Sequence, residues 1–600
     1  LPLDNARLFA YTIKSKKNIM KKNFPHILLV AVFVYALAGC AGTQERFALT
    51  VAHVNDTHGH LDPAQISFDL DNVTIRTEAA GFPRLAACVK DLRSRHENLL
   101  FLHAGDIFQG TLYFTKFGGR ADCTLLNLMG LDAMVLGNHE FDKGPETLAG
   151  FATQADFAIL SANIDASREP LLRDRIKPYI IKDIAGRKVG IIGLTTPDTQ
   201  ELSHPGATIS FRDPEQSARC AIDSLVAQGV HIIIIVSHLG YKNDVGLASR
   251  LPEIDMIAGG HTHTLLGDFS ALGFESAGPY PTICKNADNA TALVVQAWEW
   301  AKILGVLKVS FDSQGRVTSW TGEPMMPVGA VFTQENSSGD KVPVDSEKLK
   351  KIRAKLAGSP GIALVDEDAS SRKLLETYAK EVSAFYKQNV ALAPQNLVHV
   401  RLPNVGNAAL ASGSQVAPLV ADAMLWKMRA MGPVADAALV NAGSVRGSIP
   451  KGDVSVGQLC DLLPFGNRLV VCRLSGLEIK SVLEVGIDRA LTSPENDGAF
   501  PYVAGLRYTV DLSKSGGKRL VRVELQGGKG TWRMLADTAD CRIVTNNYLI
   551  KGGDGYDLLP RIAQKAQDTG YGDAEVFIEY AGIQGQLKQQ PEKRITLMGR

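Results

Sequence analysis

Four polar clusters each follow an apolar run immediately or nearly so: Asn55-Asp56-Thr57-His58, Gly105-Asp106, Gly137-Asn138-His139-Glu140-Phe141-Asp142, and Ser237-His238 taken with Gly259-Gly260-His261-Thr262-His263. Imidazoles, carboxylates and an amide are borderline to hard ligands suited to Zn²⁺, Mn²⁺ or Fe²⁺, and the absence of thiolate argues against a closed structural zinc site. A single Asp or His at a strand end is ordinarily a turn residue or a cap, but four such clusters in one chain carry more weight. Asp56, His58, Asp106, Asn138, His238, His261 and His263 make seven candidate ligands. That is enough for two metal ions about 3.5 to 4 Å apart sharing one carboxylate. Such a pair would lower the pKa of a shared water towards neutrality, clamp phosphoryl oxygens and favour in-line attack by metal-bound water without a covalent enzyme intermediate.

These residues can act together only if the backbone carries them to one edge. Between residue 47 and about residue 329, apolar runs alternate with helical stretches, the pattern of a layered α/β domain. The runs at 47–54, 99–103, 133–136, 189–193, 230–236 and 256–258 are short and rich in Val, Ile and Leu, as strands buried on both faces are. Residues just past such strands point into the crevice beyond the carboxyl edge of the sheet, where α/β proteins assemble sites. The first domain is expected over 47–331. Residues 332–395 turn polar and charged and are expected as a linker; within it Leu374, Leu375, Tyr378, Val382 and Phe385 at helical spacing predict a helix over 371–386. A second globular unit is expected over 396–600.

Apolar residues make up 45% and charged residues 21% of 600 positions, and 64 Lys and Arg balance 63 Asp and Glu for a formal net charge of +1. There is material for substantial cores and no global field to draw in nucleic acid or anionic lipid, so any anion site is local and no nucleic-acid partner is expected. The 56 glycines predict many tight turns, with the chemistry carried on loops.

The second unit carries its own constellation: Arg401-Leu402-Pro403-Asn404, Asn441-Ala442-Gly443-Ser444-Val445-Arg446, Pro464-Phe465-Gly466-Asn467, Asn547-Tyr548, and Gly552-Gly553-Asp554-Gly555-Tyr556. Guanidinium groups suit phosphate, ring faces suit a base and a carboxylate suits ribose hydroxyls, so these residues could recognise a nucleotide. Phe465 and Tyr548 read equally well as core residues or as stacking platforms.

The first set of motifs, N-D-x-H at 55–58, G-D at 105, G-N-H-E-F-D at 137–142, S-H at 237 and G-G-H-T-H at 259, resembles the calcineurin-like metallophosphoesterases, and within them the 5'-nucleotidase family. The resemblance implies that Asp56, His58, Asp106 and His263 hold one divalent metal ion and that Asp106, Asn138, His238 and His261 hold a second, with Asp106 bridging and the metals Zn, Mn or another transition metal. It implies that His139 and Asp142 form the catalytic pair: the imidazole donates to the phosphoryl group or leaving oxygen, and the carboxylate fixes its tautomer and keeps it cationic. Through N-x-G-x-x-R, P-F-x-N and G-G-D-G it implies that Asn441, Arg446, Phe465, Asn467, Tyr548 and Asp554 line the nucleoside side, the two rings sandwiching the base and Asp554 accepting from ribose. Arg401 matches a phosphate element, R-x-x-N, from which an insertion over 405–414 separates the following helix pattern. Tyr548 stands where many relatives have Phe. The implied fold is α/β and α+β: an N-terminal four-layer metallophosphoesterase β-sandwich flanked by helices, a linker helix, and a C-terminal α/β nucleotide-recognition domain. The implied activity is removal of the 5'-phosphate from nucleoside monophosphates, after the two domains close on each other. AMP comes first, with NAD and UDP-sugar pyrophosphates as alternatives, since the segments at 110–115 and 498–502 look like ecto-5'-nucleotidase and bacterial NAD nucleotidase. A reading of another class is a non-catalytic surface lipoprotein that binds nucleotides for uptake.

Residues 27–38 form an apolar run preceded by Met20-Lys21-Lys22 and followed by Gly39-Cys40. Twelve residues are too short to cross a bilayer core of about 30 Å but fit a secretory signal, and Leu37-Ala38-Gly39-Cys40 resembles a bacterial lipobox. Residues 1–39 are expected as a signal segment, with Met20 rather than Leu1 as its start. Cys40 is expected as the lipidated residue of a tether over 40–46, making an exported, membrane-anchored protein of the periplasm or cell surface; Ala41 points to the outer membrane. The other seven cysteines contain no C-x-x-C pair, and their odd number leaves at least one thiol unpaired.

Overall fold

Apolar runs of the N-terminal half become strands at or within two residues of the expected bounds: Phe47–Val54, Leu99–His103, Ala133–Val135, Arg187–Thr195, Ile232–His238 and Met256–Gly259. The computed structural model describes residues 47–599 apart from 337–339, 404–405, 432–434, 493, 564–565 and 590. The expected signal segment, Cys40 and Asn404 lie outside the described residues.

Two sheets lie face to face. The first has seven strands in the order Val317–Gly322, Gly305–Phe311, Phe47–Val54, Leu99–His103, Ala133–Val135, Ala158–Leu160 and Ile176–Lys177, and is parallel from Phe47–Val54 onward. The second has six, in the order Thr282–Lys285, Thr291–Gln296, Met256–Gly259, Ile232–His238, Arg187–Thr195 and Tyr179–Ile184, with its middle four parallel. Alternation along each strand sends Val51, Leu100, Leu102 and Val135 inward against Ile191, Ile234, Val236 and Val295. Ala52, Val54, Phe101 and Met134 point outward into a core shared with helices Phe82–Arg95 and Arg120–Met129. Ile192, Ile233, Ile235 and Ile257 do the same with helices Pro214–Val226 and Tyr241–Arg250. The result is a helix, sheet, sheet, helix sandwich. Burying each Val or Ile on both faces contributes about 1.5–3 kcal/mol, which explains the nearly unbroken apolar runs.

The expected boundary at residue 331 falls inside a strand. Met326–Glu335 pairs with Val73–Ala79 and with Ile362–Leu364, and with Ala64–Leu70 and Lys341–Pro343 these form a third sheet of five strands. Among the described residues only one side of this layer is covered: Val328 and Phe332, with Ile352 and Leu356 of helix Ser346–Ala357, are buried while Val331 is exposed. A half-solvated layer has the polar average composition of a linker, which is why the composition shift at 332 does not mark the end of the unit. The expected helix is present as Ala369–Tyr386, capped by the Asp368 carboxylate on Ser371 N. Leu374, Tyr378 and Val382 pack against the N-terminal core and Phe385 against the C-terminal one, so this helix spans the junction.

The C-terminal unit has a five-stranded sheet, in the order Pro501–Ala504, Ala437–Asn441, Asp540–Asn546, Arg468–Ser475 and Gln567–Gly572, and a four-stranded sheet built on Leu506–Asp511. Helices Ala417–Ala430, Gly476–Thr492 and Asp573–Gln584 complete its core. All seven described cysteines are unpaired, and Cys88, Cys123, Cys284, Cys472 and Cys541 are buried.

Gly193 marks a close approach of the two large sheets: a Cβ there would meet the Leu160 backbone and Cβ at 2.6 Å. Gly193→Ala is therefore expected to cost about 1–3 kcal/mol by overpacking. Gly150→Ala, in helix Gly144–Gln154 with open space around it, is expected to hold or raise stability. Thermal unfolding of the two variants, in opposite directions from the parent, checks the packing.

Candidate active site

The parallel strands of both large sheets end at the same edge, and the polar clusters sit on the loops just beyond. Five of the seven expected ligands, Asp56, His58, Asp106, His261 and His263, have φ between 47° and 74°. Non-glycine residues rarely adopt this left-handed conformation, and strain of this kind collects at functional sites. The structure brings six of the residues into two triads, Asp56 with His58 and His263, and Asp106 with His238 and His261, in each of which the ligand atoms lie within 4.8 Å of one another.

The outer hydrogen bonds turn the remaining ring nitrogens inward. His58 Nδ1 donates to Phe108 O at 2.8 Å, His238 Nδ1 to Ala104 O at 2.7 Å and His263 Nδ1 to Glu299 at 2.7 Å. Such outer contacts fix the tautomer of metal-binding imidazoles. His58 Nε2 and His263 Nε2 then face each other at 3.2 Å, and His238 Nε2 lies 2.9 Å from Asp106 Oδ2 without a directed hydrogen bond. Asn138 Oδ1 is buried and has no hydrogen-bond partner. Unsatisfied buried acceptors are costly; with the two triads, the unpaired His238 Nε2 and Asn138 Oδ1 make a donor set that fits divalent cations.

His139 Nδ1 bonds Asp142 Oδ2 at 2.6 Å, and Ser203 Oγ donates to the other Asp142 oxygen at 2.6 Å. Burial by itself would lower the imidazole, but the carboxylates of Asp142 and Asp106 outweigh it and raise His139 to about 10. These carboxylates thus favour the cationic form of the ring.

Two carboxylates that the sequence reading left without a role hold this edge together. Glu140 is fully buried and accepts from four backbone N–H groups: Gly137 at 2.6 Å, Asp106 at 3.0 Å, Ile107 at 2.7 Å and Phe108 at 3.2 Å. It thus ties the Asp106 loop to the Asn138 loop. Glu299 follows strand Thr291–Gln296, which is parallel to Met256–Gly259, so it belongs to the same carboxyl edge. The signal for it was a polar residue between Trp298 and Trp300 just past an apolar run.

In the C-terminal unit Arg401, Asn441, Arg446, Phe465, Asn467, Tyr548 and Asp554 all line one cavity of about 470 Å³, together with Gly443, Ser444, Glu495, Asn496, Gly498 and Ala499. Strands Ala437–Asn441 and Asp540–Asn546 are parallel neighbours, and their carboxyl ends deliver Asn441 and Tyr548 to it. Phe465 is 57% and Tyr548 43% exposed, so neither ring belongs to the core. Arg446 lies over the Phe465 ring at 5.5 Å, and Arg401 pairs with Asp497 at 2.7 Å, a partner the sequence reading did not include. None of the expected metal ligands lines this cavity. The C-terminal surface facing them is instead the strand with Gly570 and Tyr571, where the Tyr571 ring meets His139 edge-on at 6.0 Å, and Arg468, 3.4 Å from Glu299.

A two-sheet sandwich with ligand triads at its carboxyl edge is the architecture of a phosphoester hydrolase, and residues 49–265 match the calcineurin-like phosphoesterase family. Residues 401–561 match the 5'-nucleotidase C-terminal domain. Across 94% of its length the chain is 35% identical to a protein named probable 5'-nucleotidase from Treponema pallidum (strain Nichols), covering 97% of that protein. The chain belongs to the 5'-nucleotidase family. The structure of Haemophilus influenzae NAD nucleotidase, 30% identical, superposes with a TM-score of 0.87 over 92% of this chain and 100% of that one. A 5'-nucleotidase precursor from Thermus thermophilus, 41% identical over the same shares of the two chains, superposes with a TM-score of 0.55.

Glu140→Gln replaces an acceptor of four N–H groups by an amide that can serve only part of them. It is expected to lower stability by about 2–5 kcal/mol and to loosen both loops. Thermal unfolding together with bound metal measured by elemental analysis checks this; parental values of both would remove Glu140 from its organising role.

Proposed function

We propose that this hydrolase removes the 5'-phosphate from nucleoside monophosphates, AMP foremost, using two divalent metal ions. The observation that carries the reading is the presence in one chain of two ligand triads at the N-terminal edge and a cavity with arginines, exposed rings and a carboxylate in the C-terminal unit. Metal ions held by Asp56, His58, Asp106 and His263, and by Asp106, Asn138, His238 and His261, would activate water and neutralise phosphoryl oxygens. Arg401 and Arg446 attract the phosphate, Phe465 and Tyr548 stack the base, Asn441 and Asn467 hold polar edges, and Asp554 takes the ribose. Water attacks phosphorus in line, and His139, kept protonated and oriented by Asp142, donates from Nε2 to the phosphoryl or leaving oxygen.

For this the cavity has to meet the triads. Here the Gly570 backbone lies against the His139 ring instead, so catalysis requires the units to turn relative to one another. A lower TM-score at higher identity, 0.55 at 41% against 0.87 at 30%, is what such a rigid-body difference would give, and it supports the motion. The likeness to the NAD nucleotidase favours a second reading, hydrolysis of the NAD pyrophosphate, with UDP-sugars a further alternative on the sequence reading. Export and lipid anchoring at Cys40 rest on the sequence; among the described residues no helix is long and apolar enough to cross a membrane.

Chelation is expected to abolish phosphate release and Mn²⁺ or Zn²⁺ to restore it, with product analysis on AMP, NAD and UDP-glucose ranking the substrates. Tight nucleotide binding with no metal-dependent turnover would identify a receptor instead. Thr115 Oγ1 and Glu575 Oε1 face each other across the units at 3.3 Å. A cleavable cross-link between cysteines introduced at 115 and 575 is expected to stop turnover at constant metal content and to release it on cleavage. Full turnover in the linked protein would count against the motion.

A further inference from the structure

Asp554 is the one non-glycine residue of the described C-terminal unit in the left-handed region, at φ 52° and ψ 24°, flanked by Gly552 at φ 90° and Gly555 at φ 79°. Two side chains hold its carboxylate. Tyr548 Oη donates to Asp554 Oδ1 at 2.7 Å and also accepts from Asp554 N at 3.1 Å, so a single hydroxyl closes on both the side chain and the backbone of this residue. Asn441 Nδ2 donates to Asp554 Oδ2 at 2.7 Å, and Asn441 is itself fixed through Oδ1 by Ser444 Oγ at 2.5 Å. The Tyr548 ring reaches this position by lying flat on Gly553, where a Cβ would meet it at 2.5 Å. Both carboxylate oxygens therefore carry one fixed donor each, and the plane of the group is set before any ligand arrives.

We propose that the Tyr548 hydroxyl determines selectivity for ribose over deoxyribose by presetting the Asp554 carboxylate. An ionised carboxylate has about four acceptor sites, so with two occupied about two remain for a ligand. The neighbouring hydroxyls of ribose supply two donors, whereas a deoxyribose supplies one and leaves an acceptor unpaired in a cavity from which water is displaced. A carboxylate held in one plane imposes that difference in full; one free to rotate relaxes towards whichever donor is present and discriminates less. Tyr548 is thus a positioning residue acting through Asp554, in addition to offering a ring face. The inference rests on the nucleotide reading of this cavity.

The test is a double-mutant cycle on the full, metal-loaded chain with Tyr548→Phe, which keeps the ring, Asp554→Asn, and both together. Calorimetry compares adenosine with 2'-deoxyadenosine and 3'-deoxyadenosine, and steady-state kinetics compares the corresponding monophosphates. Tyr548→Phe is expected to lower the ribose-to-deoxyribose affinity ratio about three- to tenfold, in KM more than in kcat. Asp554→Asn is expected to lower it at least as far, with no further change from Tyr548→Phe in that background. Adenosine binding with the parental ratio retained in Tyr548→Phe overturns the inference alone. So does an equal loss in the presence and absence of Asp554, which would place the hydroxyl directly on the sugar. Binding of none of the nucleosides overturns the nucleotide reading of the cavity and this inference with it.

Discussion

The Glu140 carboxylate, buried against four backbone N–H groups, is the interaction on which the catalytic edge depends. The loops that carry Asp106 and Asn138 leave neighbouring parallel strands and would otherwise bury unpaired donors. Burial and the Asp106 charge push this carboxyl up to about 7, while the N–H groups favour its ionised form. The cost of burying the charge is offset because a carboxylate can satisfy several donors at once, and the geometry it enforces places Asp106 beside His238 and His261. Left-handed backbone at five ligand positions shows how far these loops are bent, and the rigid double sheet beneath them supplies what holds them there.

The ligand triads and the C-terminal cavity are divided between units that share one continuous element, helix Ala369–Tyr386, whose successive turns belong to different cores. In this arrangement the face opposed to the triads is formed by Gly570 of strand Gln567–Gly572 and Arg468 of its neighbour, not by the C-terminal cavity. The bridge from His263 through Glu299 to Arg468, and from Arg468 to Asp568, connects a candidate metal ligand to the C-terminal sheet. Each of these charges has a partner within its own unit as well: Glu299 also pairs with Lys302, and Arg468 with Asp568, so none is stranded if the units separate.

Much of this was legible in the sequence because buried parallel strands write themselves as unbroken apolar runs, and Asp56, His58, Asp106, His238, His261 and His263 each follow one closely. The residues of the C-terminal cavity were legible by residue type and motif resemblance but not by pattern: Phe465 and Tyr548 have no periodicity that separates an exposed platform from a core ring, and exposure is settled by the fold. Strand Met326–Glu335 runs through the expected boundary at 331, since a layer covered on one side has the composition of a linker. Glu140 and Glu299 were invisible as organisers, since a carboxylate that bonds backbone N–H groups or the far side of an imidazole leaves no spacing pattern of its own. Asp497, paired with Arg401, belongs to a segment that shows its partner only in three dimensions.

The seven unpaired cysteines carry a consequence for durability. Thiolate is the form that oxidises or exchanges, and burial pushes Cys88, Cys123 and Cys472 up to about 12, which keeps those sulfurs protonated and inert. The described fold is thus held by packing and hydrogen bonds, with no bridge among its described residues that a reductant could open.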